Sequence, residues 1–116
     1  MGSTVKYYLN SAVITAPGRY EYRLVDATQA RAWVATGPIP ISTIGYEQTA
    51  DALGELLDRS IAVDRRSIRM EPGDEALVFR LVFPAGTPRI DPADKGRLRA
   101  EVLAGHYELG LLCRGA

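Results

Sequence analysis

Alternating apolar and polar residues predict a chain rich in β-strands. Tyr20, Tyr22 and Leu24 alternate with polar residues, which is typical of a strand with one face in solvent. Runs rich in apolar and aromatic residues, or alternating in the same way, predict the other strands, which are Val5–Ile14, Ile39–Ser42, Arg65–Met70, Ala76–Phe83 and Tyr107–Cys113.

Two turns indicate which of these strands pair. Pro17-Gly18 lies between the first two runs and predicts that they form a hairpin. Glu71–Asp74 contains proline and glycine in succession. This turn predicts that Arg65–Met70 and Ala76–Phe83 lie side by side.

Helical spacing of apolar residues predicts three helices between the strands. The first begins at Asp26, with Gln29 three positions later, and ends at Gly37. The second runs from about Ile44 to Asp58, and the third from Asp91-Pro92 to Gly105. Their expected buried faces are Ala30, Trp33 and Val34, then Thr49, Leu53, Leu56 and Leu57, then Leu98, Val102 and Leu103. We therefore expect an α+β fold, a single domain spanning residues 1–116 with a mixed β-sheet packed by about three helices.

Composition narrows the classes of function. The 14 basic and 14 acidic residues leave no net charge, so a long nucleic acid is not expected as a partner. Cys113 is the only cysteine, which excludes an internal disulfide or a thiolate zinc site. His106 is the only histidine and has no evident partner, so neither a catalytic triad nor any cofactor or metal is expected. There is no apolar run long enough for a membrane span and no signal-peptide pattern, so we expect no membrane partner and a cytoplasmic location.

The turn from Ser42 to Tyr46 is the first candidate for ligand binding. Thr43 is expected to cap the second helix, and Gly45 to let a ligand approach the backbone. The amides and positive dipole end of a helix start favour an anion such as a phosphate. Serine, threonine and glycine also begin many helices that bind nothing. Both interpretations fit this stretch taken alone.

Arginines supply the second candidate. Arg80 interrupts the apolar run of residues 76–83, where a guanidinium must be paired or must line a polar cavity. Arginine also binds phosphate oxygens through two parallel hydrogen bonds. The alternative is a salt bridge to a nearby carboxylate, or a strand face in solvent. Arg65 or Arg66, on the strand expected beside it, is predicted to reach the same cavity.

Two further residues each have two interpretations. Phe83 ends a strand beside a glycine loop, where its ring either stacks on a nucleobase or belongs to the core. Asn10 lies within a predicted strand, where asparagine is uncommon. It is either a satisfied residue at an edge or an amide that contacts a ligand.

Four stretches carry a resemblance over nearly the whole chain, namely Tyr7–Ala12, Ser42–Ala50, Ile68–Val78 and Tyr107–Leu111. They resemble the small viral family that includes anti-CRISPR ring nucleases of archaeal viruses and the Thoeris anti-defence sponges of bacteriophages. The resemblance implies a ligand site completed by a partner subunit, and hence a homodimer or higher homo-oligomer. It implies ligand contacts at Asn10, Ser11, Thr43, Ile44, Gly45, Tyr46, Arg65, Arg80, Phe83 and Arg114.

The resemblance also indicates whether this protein cleaves its ligand. The ring nucleases carry a histidine directly after the Ile-Gly pair, where this chain has Tyr46. They also carry an arginine and a glutamate just after the late strand, where residues 83–87 have neither. A phenol is a poor general acid or base near neutral pH. The position of Tyr46 therefore favours binding without cleavage.

The leading hypothesis is a viral anti-defence protein that binds and sequesters a cyclic nucleotide immune signal in the host cytoplasm. The expected ligand is a cyclic ADP-ribose isomer, with cyclic oligonucleotides as a further class. The first alternative is a ring nuclease that degrades cyclic tetra-adenylate. The second is a structural or interaction domain without a ligand.

Overall fold

The fold is built on one five-stranded sheet. The computed structural model describes residues 4–10, 16–86 and 95–115. Its elements in chain order are β1 (Lys6–Leu9), β2 (Tyr20–Val25), α1 (Ala27–Ala35), β3 (Ile41–Ser42), α2 (Glu47–Leu57), β4 (Glu75–Leu81), α3 (Lys95–Leu103) and β5 (Tyr107–Arg114). The predicted α+β class, with a mixed sheet and three helices, is confirmed for the described residues.

Four strands of the described sheet run in one direction. The strands lie in the order β2-β5-β4-β1-β3. β1 is parallel to both β3 and β4, while β5 is antiparallel to β4 and β2. The chain segments that follow β1, β2, β3 and β4 therefore leave the sheet at the same side. We call this side the carboxyl edge.

The predicted hairpin of the first two strands is wrong. β1 lies between β3 and β4, and β2 pairs with β5 at the far side of the sheet. Burial explains the separation. Tyr8 and Leu9 of β1 are almost fully buried, whereas most of β2 is exposed. A strand exposed along most of its length suits the edge of a sheet, and a buried one suits the interior.

The predicted strand Arg65–Met70 is also wrong. This segment is extended but pairs with no strand of the described sheet. Both sides of β4 are already occupied, by β1 and by β5. Ile68 and Met70 instead pack over the sheet face that carries Leu9 and Val78. Their apolar side chains are buried without a backbone ladder.

The described helices cover the other face of the sheet. The core between the helices and this face contains Tyr8, Leu77, Phe79, Leu109 and Leu111 from the strands, and Ala30, Val34, Leu53, Leu57, Leu98 and Val102 from the helices. α1 begins as expected, because the Asp26 side chain accepts a hydrogen bond from the Gln29 amide and the Gln29 side-chain oxygen accepts one from the Asp26 amide. Thr49 was placed on the buried face of α2 and is only half-buried.

Several element ends differ from the predictions. α2 begins at Glu47 instead of Ile44, and its N-cap is Tyr46 instead of Thr43. β4 ends at Leu81, so Phe83 lies beyond the strand. The predicted strand residues 11–14 and the Asp91-Pro92 helix start lie outside the described residues.

Phenols and a thiol that are at least partly desolvated make the stability of the fold sensitive to alkali. Burial raises the pKa of Tyr7, Tyr8 and Tyr22 above 10.0, and that of the Cys113 thiol above 9.0. The unfolded chain ionises these groups at lower pH, so above about pH 9 the folded state holds more protons. We expect the free energy of unfolding to fall as the pH rises from about 9 to 11. Urea titrations across this range measure the slope, which Tyr8→Phe should reduce. An unchanged stability would contradict the expectation.

Candidate functional site at the carboxyl edge

Three of the segments at the carboxyl edge carry residues of the predicted site. Asn10 follows β1, Thr43–Tyr46 follows β3, and Val82 and Phe83 follow β4. In sheets with parallel strands, ligands bind outside the carboxyl ends of the strands. Most of the sequence-predicted site residues therefore fall at the side of the sheet where a ligand site is expected.

The turn after β3 is fixed by its own hydrogen bonds. The Thr43 hydroxyl donates to the Tyr8 carbonyl at 2.8 Å, and the Thr43 amide donates to the same oxygen at 3.1 Å. The Ile44 amide donates to the Ser42 hydroxyl oxygen at 3.2 Å. The Ile44 side chain is fully buried. The expected helix cap at Thr43 is wrong, because β1 takes its hydroxyl and ties the turn to the neighbouring strand.

The start of α2 has no side-chain cap and carries an acidic residue, Glu47, in its first turn. Tyr46 occupies the N-cap position and its side chain makes no capping hydrogen bond. The positive end of the helix dipole therefore points to the carboxyl edge without a capping side chain from Tyr46. Tyr46 itself is 56% exposed, so its ring is accessible.

Arg65 lies against this helix start. Its guanidinium carbon is 4.8 Å from the centre of the Tyr46 ring. It also packs on Gly45, where an added Cβ would lie 2.7 Å from the arginine Nε. Arg65 reaches the turn from the extended segment after α2, not from a strand beside β4. Arg65 therefore contacts the turn, but it does so from an extended segment and not from the predicted strand.

Arg80 sits on the sheet face opposite the helices. Its side chain is 55% exposed and pairs with Glu108 across the β4–β5 ladder at 3.3 Å. The second interpretation from the sequence, a solvent-facing strand with a local salt bridge, describes its geometry.

We expect Arg80→Gln to leave the fold nearly unchanged. An exposed ion pair of this length contributes about 0.5 kcal/mol or less. Urea unfolding should show a difference no larger than that, with Glu108→Gln behaving alike. A loss above about 1 kcal/mol would mean that the pair is more important to folding than its exposure indicates.

The other predicted residues divide between the two ends of the sheet. Asn10 is exposed at the end of β1, and Phe83 is 37% exposed two residues beyond β4. Ser11 lies outside the described residues. Arg114 is at the opposite end, since β5 runs antiparallel to β4 and Cys113 pairs with Glu75. The length of β4, about 20 Å, separates it from the carboxyl edge.

Arg114 joins loops at its own end of the sheet. Its guanidinium donates to the carbonyls of Met70 and Pro17 and lies 6.0 Å from the centre of the Tyr20 ring. Its Nε is buried and has no hydrogen-bond partner among the described residues. The structure does not bring Arg114 together with the other predicted residues.

One pair at the carboxyl edge was missed from the sequence. His106 Nδ1 lies 2.5 Å from Glu101 Oε2, and the His106 carbonyl accepts a hydrogen bond from the Val82 amide just after β4. The expectation that His106 lacks a carboxylate partner is therefore wrong. The five-residue spacing is not a side-chain neighbour spacing in a helix. The two side chains meet because α3 ends at Leu103, between Glu101 and His106.

Within the described residues, no three histidine, cysteine, aspartate or glutamate side chains are grouped to hold a metal ion. None of the helices in the same part of the chain is both long enough and apolar enough to cross a membrane.

The fold and the carboxyl edge define a small mixed-sheet α+β protein with its helices on one face. The chain belongs to the STIV B116-like family, whose sequence model matches residues 6–83. Among solved structures it is similar to B116 of Sulfolobus turreted icosahedral virus (STIV), with a TM-score of 0.61 and 15% sequence identity. The similarity covers 96% of this chain and 99% of that one, and at this identity it concerns the fold. No curated protein matches the chain.

Proposed function

We propose that this protein is an anti-defence protein that binds a cyclic nucleotide immune signal and holds it without cleaving it. The ligand class is a cyclic ADP-ribose isomer, with cyclic oligonucleotides as a second class. The observation that carries the proposal is the corner made by Arg65, Tyr46 and the start of α2. It combines a cation, an aromatic ring and the positive end of a helix dipole, which suit a phosphate and a base.

The other residues extend this corner along the carboxyl edge. Asn10 contributes an exposed amide beside it, and Phe83 an exposed ring at the end of β4. Gly45 leaves room for the Arg65 side chain against the turn. These groups lie at an open edge, so a partner subunit in a homo-oligomer would close the site over the ligand. In this proposal, Arg80 is a second cation at the margin of the ligand site.

Binding without cleavage follows from the chemistry of the corner. Tyr46 and Arg65, whose side chains meet at this corner, are a phenol and a guanidinium. Neither transfers protons readily near neutral pH. Glu47 adds a carboxylate in the first turn of α2. Attack of a ribose 2′-hydroxyl on the phosphate would therefore find no ready proton-transfer group in the pair of Tyr46 and Arg65.

A ring nuclease that degrades cyclic tetra-adenylate is the second candidate function. The pair of His106 and Glu101 favours it, because an imidazole held by a carboxylate is a common acid–base device. The pair lies at the β5 side of the carboxyl edge, separated from the Tyr46 corner by the ends of β4 and β1. Three strand spacings amount to about 14 Å.

One experiment separates the two functions. The protein is incubated with cyclic ADP-ribose isomers and with cyclic tetra-adenylate, the free nucleotide is measured, and the mixture is then heat-denatured and chromatographed. Depletion followed by recovery of the intact nucleotide supports sequestration. Linear products in excess over protein would establish a nuclease, and His106→Ala would then be the variant expected to stop it. A panel that is neither depleted nor cleaved would contradict both functions.

A further inference from the structure

A second cavity opens on the helix-covered face, beside the outer side of β3. It has a volume of about 380 Å³ and is bordered by Tyr8, Pro40, Arg59 and Ile61. β3 is the last strand of the described sheet on this side, and Ser42 of β3 also lines the cavity, whereas Tyr46 and Arg65 do not. It does not depend on the function proposed for the carboxyl edge.

Tyr8 supplies a hydroxyl donor to this cavity. The residue is only 5% exposed, and its ring packs in the core on the helix-covered face. Its hydroxyl makes no hydrogen bond to any residue in the described part of the chain. Burial raises the pKa of Tyr8, while the Arg59 guanidinium opposes that rise. The hydroxyl thus stays protonated at neutral pH, and Tyr8 and Arg59 both border the cavity.

Arg59 is held at the mouth of the cavity by the end of α2. Asp58 adopts a left-handed conformation with φ of 54°, and the Arg59 amide donates to the Gly54 carbonyl at 2.9 Å. These contacts form a Schellman-type closure, which fixes the backbone direction at Arg59. The position of its cation is therefore a consequence of how the helix ends.

The surroundings limit the charge of a ligand. Asp51 and Asp58 line a neighbouring cleft that shares Arg59 with this cavity, whereas the Glu55 carboxylate in the same cleft is paired with Arg99. The carboxylates of Asp51 and Asp58 repel a multiply charged anion, since like charges at short range are unfavourable even near solvent. Pro40 and Ile61 give the cavity apolar walls that suit a compact ring.

We infer that this cavity is a second small-molecule site, which takes a carboxylate attached to a small apolar ring. The carboxylate would accept hydrogen bonds from the Tyr8 hydroxyl and the Arg59 guanidinium, and the ring would lie between Pro40 and Ile61. A charge-assisted pair of donors gives such a site both affinity and orientation.

Titration with benzoate, followed through amide chemical shifts of the whole chain, tests this site. We expect saturable shifts at residues 59–62 and 42, and no comparable shifts at residues 45, 46 and 65. Arg59→Gln should weaken benzoate binding about tenfold, and Tyr8→Phe about fivefold or more. The exposed Arg69→Gln serves as the matched control and should leave binding unchanged.

Two relatives of benzoate test which charge the site accepts. Benzyl alcohol, the neutral relative, should fail to bind, and phenyl phosphate, a dianion near neutral pH, should bind more weakly than benzoate. Binding that is unchanged in Arg59→Gln, or shifts that never saturate, would overturn the site. Phenyl phosphate binding tighter than benzoate would overturn the assignment of a singly charged ligand. Arg59 is exposed, so its variant remains informative even if Tyr8→Phe does not fold.

Discussion

Replacing Gly54 with alanine should lower the free energy of unfolding by about 2 kcal/mol. A glycine-to-alanine change inside a helix ordinarily stabilises it by about 1 kcal/mol. At Gly54, however, the new Cβ would lie well under 3.0 Å from the Arg59 carbonyl oxygen. That oxygen belongs to the backbone and cannot rotate away, because the Arg59 amide is bonded to the Gly54 carbonyl. Overpacking of this kind costs about 1–3 kcal/mol, and the loss of the helix closure adds about 1 more.

Gly96→Ala is the matched control. Gly96 lies in α3, and a Cβ added there would meet no atom within 4 Å. We therefore expect a gain of about 0.5 kcal/mol, opposite in sign to the effect at Gly54. Urea unfolding at one fixed protein concentration measures both, since self-association would otherwise shift the apparent stability. A shift of the same sign and size in the two variants would refute the role of the helix closure.

The same substitution links the helix end to the second cavity. Gly54 permits the close approach that turns the chain at Asp58 and aims Arg59 towards Tyr8. A folded Gly54→Ala protein should therefore bind benzoate more weakly than the wild type. The small residue acts here through the backbone and not through any contact of its own with a ligand.

Local patterns predicted the helices and the buried strands because those signals lie within a few residues. Asp26 and Gln29 cap α1 as expected, and the apolar run in β4 is buried at Ala76, Leu77, Val78 and Phe79. Strand pairing depends on distant partners. β1 pairs with residues that follow it by more than 30 and by more than 60 positions in the chain. A local turn motif carries no information about such distant pairs. The Pro17-Gly18 turn therefore wrongly predicted a hairpin.

The candidate site was predicted in part for a similar reason. The turn at Thr43–Tyr46 is a local motif, and its position at the end of a strand could be derived from the sequence. The role of Thr43 could not, because the acceptor for its hydroxyl is the Tyr8 carbonyl on another strand. Glu101 and His106 meet only because α3 ends between them. The cavity at Tyr8 and Arg59 could not be predicted either, because its two polar residues lie on β1 and after α2, far apart in the sequence.

Arg65→Gln should weaken binding of the cyclic nucleotide recovered in the depletion experiment by about 30-fold, with little change in stability. A charge-assisted hydrogen bond to a phosphate contributes about 1.5–3 kcal/mol. Arg65 is exposed, and its stacking on Tyr46 contributes about 0.5–1 kcal/mol at such a site. Calorimetry measures the affinity, and urea unfolding checks the fold.

Two companion variants show whether the position of Arg65 matters as well as its charge. Gly45→Ala keeps the arginine but places a Cβ 2.7 Å from its Nε, so the guanidinium must move away from the turn. We expect about a tenfold loss of affinity in that variant, because a displaced cation no longer aligns with the helix start. Arg69→Gln removes an exposed charge from the same segment and should bind normally. If all three variants bind alike, the site lies elsewhere on the carboxyl edge. If Gly45→Ala and Arg65→Gln lose affinity together while Arg69→Gln does not, the ligand is held by this corner and the direction of the guanidinium sets its strength.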